Sequence, residues 1–219
     1  GSINASELLL DELFGTLNER QTKYVKNIWL SSNQLLLLIN DILDLSKINA
    51  GKLNVNPAEC LVNEVLEEAI GIVKSTTYKK SIELITSVSP DDLEVWADKK
   101  LLKQILYNLL SNAIKFSHEN GTVTISAENV NCPDNGRKYV KFCVLDRGIG
   151  IDEKDLERVF LEFEQTDNSY SREYGGTGLG LPLSKKWVEV QGGKIELHSK
   201  VNVGTEAIFY LPAAEEQEI

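Results

Sequence analysis

At 219 residues, 42% hydrophobic and 26% charged, the chain has an ordinary globular composition and the length of one large domain or two small ones. Its formal net charge of −10 argues against a nucleic-acid or anionic-lipid surface, because both need a basic patch. No apolar run reaches the roughly 18 residues of a membrane span; the longest, LLLLI at 35–39, has polar flanks, so no membrane contact is expected.

The start, Gly1-Ser2, lacks the basic and apolar regions of a signal peptide and reads as a cleavage scar on a fragment of a longer protein. Cys60, Cys132 and Cys143 are odd in number and widely spaced. They fit neither a disulfide framework nor a zinc site and suggest a reduced, cytoplasmic setting.

Residues 5–14 (ASELLLDELF) read as a helix ending at Gly15, and 18–50 as one long helix. Val25, Ile28, Leu35, Ile39, Ile42 and Leu45 repeat near 3.5 residues, and Leu36, Leu37, Leu38 and Leu43 widen the stripe beyond one face. The long helix would span roughly 50 Å. The pair reads as an antiparallel hairpin, half of a homodimeric four-helix bundle through residues 5–50, or else a helical decoration on a monomer.

NAGKLNVNP at 49–57 breaks the pattern, and mixed α and β signals follow. Helices are expected at about 61–74, 98–115, 152–160 and 179–191. Strands are expected at 81–88, 121–129 and 139–146, with a closing hairpin of GKIELHS and TEAIFYLP. NCPDNG at 131–136 reads as a hairpin turn. EFEQTDNSYSREYGGTG, 162–178, is a polar loop of functional length.

Three stretches carry chemistry. In the helix near 98–115, Asn108, Asn112 and Lys115 fall at i, i+4 and i+7 and share a face. Amide oxygens suit Mg²⁺ and an ammonium suits phosphate, although a solvated face has the same spacing. LDRGIGID ends a strand with Asp146, which can accept from an exocyclic amine, while Gly148 and Gly150 permit close backbone approach or a plain tight turn. GGTGLGL at 175–181 precedes a helix whose first turn holds Pro182. Glycine costs about 1 kcal/mol relative to alanine in a helix. Four of them before a helix start suit an anion site formed by N–H groups near Thr177–Gly180.

In this order the pieces resemble the sensor histidine kinases. NLLSNAIKFS (108–117) is similar to their N box, DRGIG to the first glycine box, FLEF (160–163) to the F box with Glu162 where Pro is common, and GGTGLGL to the second glycine box. VGTEAIFYLP resembles their closing strands, and residues 19–53 resemble the second helix of their dimerisation and phosphoacceptor domain.

The resemblance implies an α+β chain: a partial helical hairpin over 1–54, then a GHKL-type α/β sandwich over 55–219 that binds ATP with Mg²⁺. It implies that Asn108 holds the metal, that Asn112 and Lys115 meet phosphate, that Phe116 packs on adenine and that Asp146 takes the adenine amine. Gly148, Gly150, Gly176, Thr177, Gly178, Leu179 and Gly180 would line the nucleotide, with Thr205 near the adenine or an ordinary strand residue. Arg172 matches a basic residue reaching the terminal phosphate, or is a solvated loop arginine; Phe160 and Phe163 anchor the lid or fill the core.

Related ATPases such as the DNA gyrase B subunit carry a general-base Glu where this chain has Gln104, and an amide takes no proton from water. Neither histidine, His118 or His198, has the helical context of a phosphoacceptor. The resemblance therefore implies a kinase core without its acceptor, unable to phosphorylate itself, whose product passes to a response regulator receiver domain. The alternative is a silent ATP-binding module that signals through its hairpin. The full-length protein would be cytoplasmic or tethered to a membrane.

Overall fold

The structure is a computed structural model that describes residues 1–131, 136–164 and 177–214. The chain forms two compact units, Gly1–Leu53 and Asn54–Ile219.

The first unit holds α1 (Ser2–Leu10) and α2 (Glu19–Asn49). Asn18 and Gln21 start α2 with a reciprocal capping box: Gln21 N–H donates to Asn18 Oδ1 at 2.9 Å, and Asn18 N–H to Gln21 Oε1 at 3.0 Å. The helices run antiparallel, with Ser2 Oγ 3.0 Å from Ser32 Oγ and Trp29 Nε1 donating to Glu7 Oε1 at 3.1 Å.

The helix expected over 5–14 lies instead at Ser2–Leu10. Glu12 takes a left-handed φ of 56°, and the Leu13 N–H reaches back to Leu8 O at 3.3 Å, a closure that ends the helix before Leu13 and Phe14. At 31 residues α2 is about 46 Å long, far longer than the nine residues of α1 can cover.

The second unit is an α/β sandwich. After β1 (Ala58–Leu61) come α3 (Val62–Lys80), β2 (Glu83–Ser89), β3 (Glu94–Ala97) and α4 (Lys99–Phe116). Next are β4 (Thr122–Asn131), β5 (Lys138–Asp146), two short 3₁₀ turns, α5 (Gly180–Glu189), β6 (Lys194–Lys200) and β7 (Gly204–Pro212). Among the described residues the main sheet has the order β2-β4-β5-β7-β6, with β2 parallel to β4 and the other pairs antiparallel. β1 and β3 form a separate antiparallel pair.

Alternate strand residues face the core: Val123, Ile125 and Ala127 on β4, Val140, Phe142 and Val144 on β5, Phe209 and Leu211 on β7. Phe142 and Phe209 stack with centroids 4.6 Å apart. The helices close this face with Val65, Leu66, Ala69, Leu102, Ile105, Leu106, Leu183 and Trp187. This is the α/β sandwich that the sequence implied.

Three local differences have identifiable causes. α3 runs to Lys80 rather than 74, because Thr77 is buried and the left-handed Ser81 closes the helix there. The helix expected at 152–160 is two turns, Glu153–Asp155 and Arg158–Phe160. They are held by ion pairs of Arg158 with Asp155 at 3.0 Å and with Glu164 at 2.8 Å. β1 and β3, four residues each, are too short to show a period in the sequence.

Candidate nucleotide site

Asp146 ends β5 between Val123 of β4 and Thr205 of β7. The residue is buried, and its Oδ1 accepts from Gly148 N–H at 2.8 Å and Thr205 N–H at 3.3 Å. Both bonds end on one oxygen, which leaves Oδ2 as the acceptor for a ligand amine. Burial pushes this carboxyl above the usual carboxylate range, against the lowering effect of the two N–H bonds and of His118.

Gly148 is required here by contact. A Cβ would stand 2.1 Å from the carbonyl oxygen of Phe116, the last residue of α4. The same oxygen accepts from Ile149 N–H at 3.2 Å. Gly150 lies between two residues tied to the β6–β7 hairpin: Asn202 N–H donates to Ile149 O at 2.7 Å, and Ile151 N–H to Ser199 Oγ at 2.8 Å. Ser199 also donates to Gly204 O and lies 2.8 Å from Thr205 Oγ1. Ser199 thus braces the loop and Thr205 together; it belongs to no motif, and only strand pairing brings it here.

α4 begins at Asp98, whose carboxylate accepts from Lys100 and Leu101 N–H. Its apolar stripe, Leu102 to Ile114, faces the core and leaves Asn108, Asn112, Lys115 and Phe116 half-buried at the margin. Asn108 Nδ2 donates to Gly180 O at 3.2 Å and to Ser184 Oγ at 3.4 Å, both on α5. Asn108 therefore touches α5 at one end, and Phe116 touches Gly148 roughly 12 Å further along the α4 axis.

Lys115 Nζ sits 4.8 Å from the Phe116 ring centroid. Burial, and then the charge of Lys80, hold its ammonium below the ordinary lysine value. Lys80 itself donates to the carbonyls of Ile114, Lys115 and Ser117 at the C-terminal end of α4. A phosphate beside Lys115 would relieve this strain on its charge.

Leu179, an apolar N-cap, precedes α5, and Pro182 lies in its first turn. Leu179 N–H donates to Thr177 Oγ1 at 3.2 Å. Gly178 has φ +70°, and a Cβ there would meet the Phe163 backbone at 2.9 Å. Phe163 N–H in turn donates to Gly178 O at 3.2 Å. Phe163 is 59% exposed, which is not core packing, while Phe160 is half-buried under Lys185 Nζ at 5.3 Å.

Asn108 meets Gly180 on α5, with Thr177, Gly178 and Leu179 just ahead of that helix, while Phe116, Asp146, Gly148, Gly150 and Thr205 gather at the ends of α4 and β5 beside the β6–β7 hairpin. Arg172 and Gly176 lie outside the described residues. Gln104 Oε1 is buried without a hydrogen-bond partner among the described residues, and an amide there cannot serve as a base. His118 is exposed in a loop, and His198 lies on β6 with its side chain 62% exposed.

Among the described residues no group of three or more His, Cys, Asp and Glu is placed to hold a metal. Mg²⁺ does not need one. It keeps several waters and takes one or two protein groups with the phosphates of a substrate. A single amide oxygen, such as that of Asn108, fits that demand, while the start of α5 suits the phosphates rather than the cation.

Two family models match the chain: the histidine kinase-, DNA gyrase B- and HSP90-like ATPase over residues 97–215, and the His Kinase A (phospho-acceptor) domain over 2–51. The non-motile and phage-resistance protein of Caulobacter vibrioides is 40% identical over 94% of this chain and 24% of its own length. The circadian input-output histidine kinase CikA of Synechococcus elongatus is 40% identical over 96% of this chain and 27% of its own. The crystal structure of full-length ShkA in complex with AMPPNP superposes with a TM-score of 0.78 at 29% identity, covering 97% of this chain and 43% of that one. The chain spans about a quarter of the length of these curated relatives. It belongs to the sensor histidine kinases, and its second unit contains their ATP-binding domain, matched over residues 97–215.

Proposed function

We propose that this sensor histidine kinase chain binds MgATP and transfers the γ-phosphoryl group to a histidine outside its 219 residues, for relay to a response regulator aspartate. The observation that carries the reading is Asp146, a buried carboxylate with both backbone bonds on one oxygen, standing two residues from the Gly148 contact. A group of this kind recognises an amine at the rim of a flat ring. Gly148 and Gly150 let that ring approach the backbone, with Phe116 and Thr205 beside it.

Phosphoryl transfer requires positioning and charge neutralisation more than covalent chemistry. Mg²⁺ would supply charge neutralisation between the phosphates, with Asn108 offering its oxygen. Asn112, Lys115 and the N–H groups at the start of α5 would receive phosphate oxygens, and Arg172 would reach the terminal one. Phe160 and Phe163 would anchor the segment that carries Arg172. With Gln104 in place of a carboxylate, this position offers no base to activate water, which favours a protein nucleophile over hydrolysis.

The exposed apolar face of α2 is the surface of a homodimer through residues 5–50. Leu35, Leu36, Leu37, Ile39, Ile42 and Leu43 are all exposed, and a run of this kind marks an interface. Among the described residues no helix is long and apolar enough to cross a membrane, and a cytoplasmic place for this part of the protein follows from its nucleotide.

Calorimetry with MgATP tests the binding; no heat at millimolar nucleotide would refute it. The transfer is tested with a separate chain carrying a complete acceptor hairpin. Phosphate should appear on its histidine in proportion to its concentration, and Asn108→Ala should abolish the transfer. This chain alone should not label itself; phosphate on His118 or His198 would contradict that. Bound MgATP without transfer at any acceptor concentration would favour the silent regulatory module instead.

A further inference from the structure

Ser184 lies in the middle of α5 and is fully buried, at 0% exposure. A buried hydroxyl inside a helix needs its hydrogen bonds met. Ser184 Oγ donates to Gly180 O, one turn back, at 2.9 Å. Its single proton is therefore committed, and toward any other group Oγ can only accept. Asn108 Nδ2 meets this oxygen at 3.4 Å and the Gly180 carbonyl oxygen at 3.2 Å. Two acceptors side by side admit only the amide nitrogen. The oxygen of Asn108 is excluded from that side of its own amide plane.

We infer that Ser184 is a positioning residue that fixes the amide of Asn108 with its oxygen turned to the metal. The inference rests on Asn108 as the Mg²⁺ contact. An unrestrained asparagine presents nitrogen and oxygen with similar ease, since the two ends have nearly the same shape. With nitrogen forward it offers a cation two N–H donors and repels it. Gly180 O alone would leave the amide on one long bond. Ser184 adds a second acceptor beside it. Gly180 has ordinary clearance from Asn108, with a notional Cβ 3.7 Å from Asn108 Cγ, so its carbonyl rather than its missing side chain makes the contact.

The test is the linkage between metal and nucleotide, measured as the ratio of ATP dissociation constants in EDTA and in saturating Mg²⁺ by calorimetry. In Ser184→Ala this ratio should fall about 2- to 10-fold, the equivalent of one hydrogen bond, while metal-free ATP binds as before. Ser184→Cys, with a weaker acceptor of similar shape, should fall between the two. In an Asn108→Ala background, Ser184→Ala should change the ratio no further, since a residue that acts through another has nothing left to orient. In the NMR spectrum of the intact chain, the Asn108 side-chain amide protons should shift and exchange faster in Ser184→Ala. If Asn108→Ala lowers the ratio and Ser184→Ala does not, the inference is wrong and the metal assignment stands. If Ser184→Ala weakens metal-free ATP as much as MgATP, Ser184 is a packing residue and the inference is overturned. If Asn108→Ala leaves the ratio unchanged, the metal assignment falls and the inference with it.

Discussion

α2 and α4 are both leucine-rich, yet α2 buries one of its 31 residues and α4 eight of its 18. The difference is one of partners, not of hydrophobicity. α4 lies in a unit with a sheet and two other helices to receive its stripe, and its polar residues fall at the margin, where Asn108 meets α5. α2 has a nine-residue companion and shows its leucines to solvent. A helix whose apolar surface is satisfied within its own unit can present chemistry; one whose surface is not satisfied must associate.

The comparison is broken most severely in the core. Leu106→Ala in α4, at a position of 0% exposure, should lower sandwich stability by about 2–5 kcal/mol. Leu37→Ala in α2, 53% exposed, should leave it within about 0.5 kcal/mol. Denaturant midpoints of the two variants check this, and similar losses would refute the contrast.

Asp146→Asn separates site from stability inside the sandwich. It should weaken adenine nucleotide binding by about 1.5–3 kcal/mol, because an amide nitrogen would face the ligand amine. Oδ1 of the new side chain still accepts from Gly148 and Thr205. Because the folded-state pKa of Asp146 is raised, the fold favours its protonated form. That preference stabilises below the ordinary carboxylate pKa and is lost as pH rises through the raised value. At neutral pH the substitution should therefore leave the melting temperature unchanged or higher. For the wild type, nucleotide affinity should fall on acidification as pH passes through this raised pKa. Affinity that stays flat down to the ordinary carboxylate range would remove Asp146 from recognition.

On the hairpin, Ile39→Ala or Leu43→Ala should each weaken self-association by about 1–2 kcal/mol, read by sedimentation equilibrium. ATP affinity should not change. A chain that stays monomeric at high concentration would remove the dimer.

The smallest effect belongs to a surface pair of helices in the sandwich. Lys103 and Lys99, each 2.8 Å from Glu68, hold its carboxyl at about 2. This contribution exists above the ordinary carboxylate pKa and fades as pH falls toward 2. Glu68 is exposed, so Glu68→Gln should shift the melting temperature slightly, and added salt should erase the shift.

Periodicity carried in the sequence determined most of the elements: α2 and α4 fall within a residue or two of their expected bounds, as do the long strands. The motifs around Asn108, Asp146 and Gly178 pointed to a proposed nucleotide site through their order, since each alone also suits a solvated helix face or a tight turn. What needed tertiary structure is of a different kind. β1 and β3 exist through pairing with each other rather than through any local pattern. The turns at 153–160, in place of the expected helix, are held by Arg158 ion pairs. Ser199 and Ser184 bear no mark of function in the sequence, since a serine in a strand or a helix is ordinary. Each spends its one proton on a near neighbour, and long-range packing then sets a donor from far along the chain, Asn108 or Ile151, against its oxygen, a geometry that no local rule encodes.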